Sequence, residues 1–307
     1  MAQQLTVKDF ESAFGAKLSD RIAKIVSGYE FVYEEFSEAE RDAWILKILK
    51  TLQDNTVVRA GEHRLEQWER GWAENVALFA EKKDPEVAIP RYFGKYPVIR
   101  FRGKFLKPLS PHFEYQMVGV LQEWLFEEYI KNVPAIYEFG CGTGNNLLRA
   151  RPVNPTATLH GFDWARSSQE LIARMKGEGV ETNISGARFD FFHPDRSLHL
   201  SPEGAVFTIS ALEQIGDRFQ PFVEYLLAER PKICFHMEPI SELLDPDNLL
   251  DWLSLAYLKK RNYLDDFLTY LRDLETQGKI TIHRSQRSNI GSLFIESYSV
   301  IAWSPRN

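Results

Sequence analysis

The chain has 307 residues, of which 37 are Lys or Arg and 43 Asp or Glu, giving a formal net charge of −6; 44% are hydrophobic and two are cysteine. This composition fits a folded globular protein of one large or two modest domains. The acidic balance speaks against a general nucleic-acid binder, and the two separated cysteines, Cys141 and Cys234, against a disulfide framework or zinc cluster.

The start, MAQQLTVKDFESAFG, lacks a basic segment followed by an apolar one, and no apolar run approaches the roughly 18 residues a membrane helix needs. The expectation is a cytoplasmic protein without membrane contact. Residues 1–130 read as mainly helical. Trp44, Ile45, Ile48, Leu49 and Leu52 form one apolar stripe, and Leu65, Trp68, Trp72, Val76 and Phe79 a second; both are expected to pack in the core. Near 97–107 the period changes to two. Ile99, Phe101 and Phe105 alternate with Arg100, Arg102 and Lys104 around Gly103, which predicts a short β-hairpin with one basic face. A helix over 112–131 follows, with His112, Phe113 and Tyr115 at its start.

From Pro134 onward strands and helices alternate. Strands are predicted at 135–139, 158–162, 184–189, 205–209 and 232–236, with helices over 145–151, 165–176 and 218–229 and a long helical stretch from 246 to 277. Such alternation makes a parallel sheet covered on both faces. The final segment, GKITIHRSQRSNIGSLFIESYSVIAW, is two β-rich runs joined by a turn at 289–292 with no helix between them, so the last strand should run antiparallel. The fold class is therefore α/β: a Rossmann-like, mostly parallel sheet with an antiparallel C-terminal hairpin, residues 131–307, preceded by the helical region 1–130.

Between the first strand and its helix stands YEFGCGTGNN. Glycines there admit backbone angles and close approaches that suit a nucleotide-like ligand. The dinucleotide pattern G-x-G-x-x-G fails in both registers, because its third glycine falls on Asn145 or Leu147. What is present is an acid followed by G-x-G-x-G: Glu138, Gly140, Gly142, Gly144.

Here the sequence resembles the class I S-adenosylmethionine-dependent methyltransferases, small-molecule type. IYEFGCGTGNN matches their first motif, LHGFDWA the second, ARFDFF the third, and GAVFTISALEQIG looks like the fourth. The resemblance implies a seven-stranded sheet and a cofactor, S-adenosyl-L-methionine, that leaves as S-adenosyl-L-homocysteine. It implies that Glu138, Gly140, Cys141, Gly142, Gly144 and Asn145 surround the amino-acid end of the cofactor. Asp163 would accept the ribose hydroxyls and Asp190 the adenine amino group, with Trp164, Phe191 and Ser210 alongside. Cys141 fills a variable slot between loop glycines and is expected to be structural, and the resemblance implies that region 1–130 lids the pocket or makes oligomer contacts, with His112, Phe113 and Tyr115 as candidate acceptor contacts.

Open α/β sheets bind ligands at the carboxyl edge of their strands. That places Glu213 after the fourth strand and His236 and Glu238 at the fifth as catalytic candidates, His236 as base and Glu238 to orient the acceptor or His236. No clear carboxylate set for a metal is present. Lys259, Lys260 and Arg261 could meet an anionic group on the acceptor or form a solvated helix face. The acidic composition favours a small-molecule acceptor: a sugar, nucleotide-sugar, amino-acid derivative or natural-product intermediate. Two alternatives stay open, a protein or peptide methyltransferase that docks through the helical region and a non-catalytic cofactor-binding partner of another enzyme. Homodimerisation is also admitted, and nucleic acid is not expected.

Overall fold

The computed structural model describes residues 1–306. The chain opens with β1 (Gln3–Gln4), α1 (Val7–Phe14), α2 (Asp20–Gly28), β2 (Val32–Glu35), α3 (Glu38–Gln53), α4 (Leu65–Lys82), β3 (Ile99–Phe101), β4 (Lys104–Pro108) and α5 (Phe113–Tyr129). There follow β5 (Ala135–Phe139), α6 (Asn145–Ala150), β6 (Thr158–Asp163), α7 (Arg166–Gly177), β7 (Ile184–Arg188), β8 (Ala205–Ile209), α8 (Gln220–Glu229) and β9 (Ile233–Glu238). The chain closes with α9 (Leu249–Arg261), α10 (Phe267–Thr276), β10 (Ile280–Gln286), β11 (Ile290–Gly291) and β12 (Ser299–Pro305).

The larger sheet has seven strands in the order β10-β12-β9-β8-β5-β6-β7. β5 to β9 pair in parallel, and β12 lies antiparallel between β9 and β10. The expected mostly parallel sheet with one antiparallel strand is therefore present. Chain order reverses between β5 and β8, so the two crossovers leave in opposite directions and open a crevice at the carboxyl ends of these strands.

Three local expectations are revised. The link from β10 to β12 is not a tight turn: residues 287–298 leave the sheet, and β11 pairs with β3 instead. A second, five-stranded antiparallel sheet results, ordered β1-β2-β4-β3-β11, and it contains two strands, β1 and β2, inside a region read as helical. The basic face expected on the hairpin of β3 and β4 keeps Arg102 and Lys104, which are exposed, but loses Arg100, which is buried. Its guanidinium donates to the Leu250, Leu293 and Phe294 carbonyls and to Ser254 Oγ, at 2.6–3.1 Å. Finally, the long helical stretch breaks at Asn262, which adopts φ 55°, a left-handed conformation that asparagine tolerates.

One apolar cluster runs from Phe10 and Phe14 of α1 through α5 to Ile136, Phe207 and Phe235 of the large sheet. α5 is buried nearly all round, and its Phe126 ring lies 5.4 Å from Phe207 and 6.3 Å from Phe235. A second cluster covers the opposite face through Phe139, Phe222, Leu271 and Trp303. Both cysteines are free and buried within these layers.

Candidate active site

A cavity of about 540 Å³ opens at the crevice. Gly140, Cys141, Gly142, Asn145, Asp163, Trp164, Phe191, Ser210 and Glu213 all line it, so most of the expected set is brought together. The glycine loop is shaped by contact. A methyl group at Gly140 (φ 73°) would collide with the Ala211 side chain, and one at Gly142 (φ 50°) would stand 2.8 Å from Trp72. The loop's own N–H groups are engaged: Gly140 and Cys141 donate to the Phe162 carbonyl, Gly142 to Asp163 Oδ2 at 2.9 Å and Gly144 to the Cys141 carbonyl. With these four N–H groups turned inward, the glycines offer the cavity a floor without Cβ atoms. Cys141 is structural in its chemistry too, since burial holds its thiol well above the usual range.

Asp163 sits at the end of β6, with Oδ2 taken by Gly142 N–H and Oδ1 by Ala165 N–H at 2.9 Å. Each carboxylate oxygen has a second lone pair, so Asp163 keeps the capacity to accept from a ligand in the cavity. Burial raises its pKa to about 6 against the pull of these backbone donors. Ser210, at the end of β8, is held at φ 50°, a strained position for a side chain and one that recurs at functional sites.

Other members of the expected set lie outside the cavity wall. Glu138 is fully buried behind Asn146, whose Nδ2 donates to Oε1 at 2.6 Å, while Oε2 has no partner; Asn146 lines the cavity in its place. Gly144 faces Ile172 and Met175 of α7. The Asp190 carboxylate accepts from Phe192 N–H at 2.9 Å and approaches His193, closing its own turn, and it is the next residue, Phe191, that reaches the cavity.

The catalytic expectation for His236 fails for a physical reason. β9 continues two residues beyond the predicted end, so His236 lies inside the sheet and is fully buried. Its Nε2 accepts from Trp303 Nε1 at 3.0 Å, its Nδ1 meets Thr208 Oγ1 at 2.9 Å, and burial lowers its pKa to about 3. Neither nitrogen can take a proton from a ligand. Glu238 does not touch the cavity either. It accepts from the N–H groups of Ala211, Leu212 and Glu213 at 3.0, 3.1 and 3.3 Å, fixing the turn that presents Glu213. Glu213 alone of the three lines the cavity. It accepts from Gln214 Nε2 at 2.7 Å, and burial together with the nearby Glu238 raises its pKa to about 8.

A lid from region 1–130 was expected, but the residues that form the roof were not legible in the sequence. Trp68 and Trp72, read as core residues, are half-buried, stack on each other at 5.5 Å and line the cavity. α4 is fixed there by Glu69, whose carboxylate accepts from Arg166 N–H at 2.6 Å and Ser167 N–H at 3.0 Å, capping the start of α7. His112, Phe113 and Tyr115 do not line the cavity. Their neighbour Glu114 does; burial raises its pKa to about 7, against the Gly94 N–H bond at 2.7 Å. Tyr115 acts one step back, donating to Asn145 Oδ1 at 3.1 Å. Of the run 259–261, Arg261 lines the cavity. The far wall is aromatic: Tyr257 stacks on Phe294 at 4.6 Å, and Tyr96 meets Phe294 edge-on at 5.5 Å. The signal for the roof lay in the α4 stripe, whose period cannot say whether an apolar face meets a core or a ligand.

No known family model and no curated protein matches this sequence. Solved structures do. One is an O-methyltransferase from neocarzinostatin biosynthesis in complex with S-adenosylmethionine and 2-hydroxy-5-methyl naphthoic acid: 12% identity, 77% of this chain and 69% of that chain covered, TM-score 0.43. Another is geranyl diphosphate methyltransferase with geranyl diphosphate and sinefungin: 13% identity, 79% and 99% covered, TM-score 0.47. A third is magnesium protoporphyrin IX methyltransferase from Synechocystis PCC 6803 with bound S-adenosylhomocysteine: 14% identity, 62% and 83% covered, TM-score 0.45.

Proposed function

We propose that this chain is an S-adenosylmethionine-dependent methyltransferase acting on an oxygen or nitrogen nucleophile of a small-molecule acceptor. The observation that carries this reading is the cavity at the sheet's switch point. A side-chain-free glycine floor, a strand-end aspartate and a buried carboxyl of raised pKa all face the same space.

The residues present fit the cofactor. Asp163 has lone pairs for a ribose diol, and Trp164 and Phe191 offer flat apolar faces for a base. Asn145 and Asn146 bring side-chain amides beside the floor, where only a loop without Cβ atoms at Gly140 and Gly142 leaves room. Bound there, S-adenosylmethionine supplies an electrophilic methyl group on a sulfonium centre. The protein's part is positioning and proton handling. The roof of Trp68 and Trp72 excludes water from the floor, and the aromatic wall orients the acceptor, an effect that can contribute on the order of 7–11 kcal/mol. Glu213, once ionised, takes the proton from the attacking oxygen or nitrogen, which adds typically ~10²–10⁴-fold. Glu238 holds the Glu213 turn in place.

The test is methyl transfer from labelled S-adenosylmethionine to a panel of phenols, carboxylates, amines and sugars, read as S-adenosylhomocysteine release. Native protein is expected to methylate at least one class, and Glu213→Gln to lose transfer while still binding S-adenosylhomocysteine. Release by Glu213→Gln at the native rate would remove Glu213 from the mechanism.

A further inference from the structure

We infer that the acceptor is an aromatic anion, a planar ring bearing a carboxylate or phosphate, whose charge is taken up by Arg64 and Arg261. The inference deepens the methyltransferase reading by naming what its cavity selects.

Arg64 is 6% exposed. Its guanidinium donates to Gln67 Oε1 at 3.2 Å and to Gln214 Oε1, and lies over the Trp68 ring at 5.0 Å. Arg261 donates to the Tyr263 hydroxyl at 3.1 Å and lies over that ring at 5.0 Å, while its Nε is buried without a partner. Among the described residues neither arginine has a carboxylate within the 4.0 Å of an ion pair. Every group they touch is neutral.

Other arginines of the interior are better provided for: Arg100, also without a carboxylate partner, has four oxygen acceptors, and Arg287 is paired with the carboxylates of both Asp251 and Glu296. Arg64 is buried and Arg261 half-buried; leaving such cations without a counter-ion costs stability, and an incoming anion removes that cost. The acid whose charge acts on both, Glu213, forms an ion pair with neither, and burial together with Glu238 raises its pKa to about 8, which limits how far it offsets them.

The shape of the space selects the rest of the ligand. Tyr257 and Phe294 stack with their planes 16° apart, Tyr96 closes their edge, and Lys95 stands in the lining beside Tyr96. Such walls hold a flat ring, and a guanidinium matches the planar geometry of a carboxylate or phosphate. The cofactor's own carboxylate is a poor match for this pair. Trp72, which covers the glycine floor, lies eight residues along α4 from Arg64, ~12 Å at the helical rise of 1.5 Å per residue.

The test is calorimetric titration with 4-hydroxybenzoate, phenyl phosphate and the neutral isostere 4-hydroxybenzamide, with and without saturating S-adenosylhomocysteine. Native protein is expected to bind at least one anion about tenfold or more tighter than the amide, the strength of a charge-assisted hydrogen bond. Whichever anion binds tighter identifies carboxylate or phosphate as the natural group. Arg261→Gln and Arg64→Gln should each erase that preference and leave S-adenosylhomocysteine affinity unchanged. Equal binding of anion and amide, no saturable binding of either anion, or loss of S-adenosylhomocysteine binding in the arginine variants would overturn the inference. The native comparison stands whether or not the variants fold. Native protein that prefers the anion yet fails to bind S-adenosylhomocysteine would refute the methyltransferase reading and not this one.

Discussion

At the scale of single residues, two positions decide most. Gly140 has both a positive φ and no room for a methyl group against Ala211. Gly140→Ala is therefore expected to lower unfolding free energy by about 1–3 kcal/mol, measured by urea denaturation, and to weaken S-adenosylhomocysteine binding. Glu213 sets the pH dependence. Its pKa of about 8 means that the ionised, proton-accepting form grows as pH rises. kcat/KM should then climb with one-proton slope up to about pH 8 and level off, and Glu213→Gln should remove that limb along with ~10²–10⁴ of the rate. A rate that falls as pH rises from 6 to 8 would exclude this role. The glycine floor and Asp163 could be read from the sequence because backbone angle and strand end are local properties. His236 could not, because its fate turned on two further residues of strand and on a tryptophan 67 positions away. Arg64 was equally hidden: its surroundings are assembled from Trp68 nearby and from Gln214, far along the chain.

At the scale of elements, the roof and the acceptor wall are each tied down by one polar clamp. Glu69 ties α4 to the start of α7. Glu69→Ala should cost about 1 kcal/mol as a lost helix cap and raise the Kd for S-adenosylhomocysteine, since Trp68 and Trp72 ride on the same helix; unchanged affinity would show that the roof is held by packing alone. Arg287 clamps Asp251 of α9 to Glu296 of the 287–298 segment, and both carboxylates are buried. Arg287→Met should destabilise by about 3–5 kcal/mol and expose that segment, which carries Phe294, to limited proteolysis. The alternation of β5 to β9 with helices was legible because each element is long enough to show its period. β1, β2 and β11 were not: they are 2, 4 and 2 residues long and exist only through pairing with distant partners.

At the scale of the whole molecule, four buried carboxyls face or support one cavity with raised pKa values: Asp163 about 6, Glu114 about 7, Glu238 about 7 and Glu213 about 8. In the unfolded chain such groups ionise near pH ~4. Between that value and pH ~8 the folded state binds more protons, so its stability falls as pH rises through this window. Groups with lowered values, such as Glu181 beside Arg151, have already made their contribution below it. Urea denaturation of the ligand-free protein at pH 5, 6, 7 and 8 should show this decline, reduced in Glu238→Gln, whereas a flat profile would mean that these carboxyls ionise freely. The second sheet, whose five strands come from segments between residues 3 and 291, was beyond any local reading, and it brings 287–298 back to the site. The central claim is that this cavity binds S-adenosylmethionine, and the most direct measurement is calorimetric titration of the native protein with S-adenosylhomocysteine, alongside NAD. One saturable site for S-adenosylhomocysteine, absent for NAD and weakened in Asp163→Ala, is the predicted result. Folded protein that binds NAD, or that gives no heat with S-adenosylhomocysteine, would contradict it.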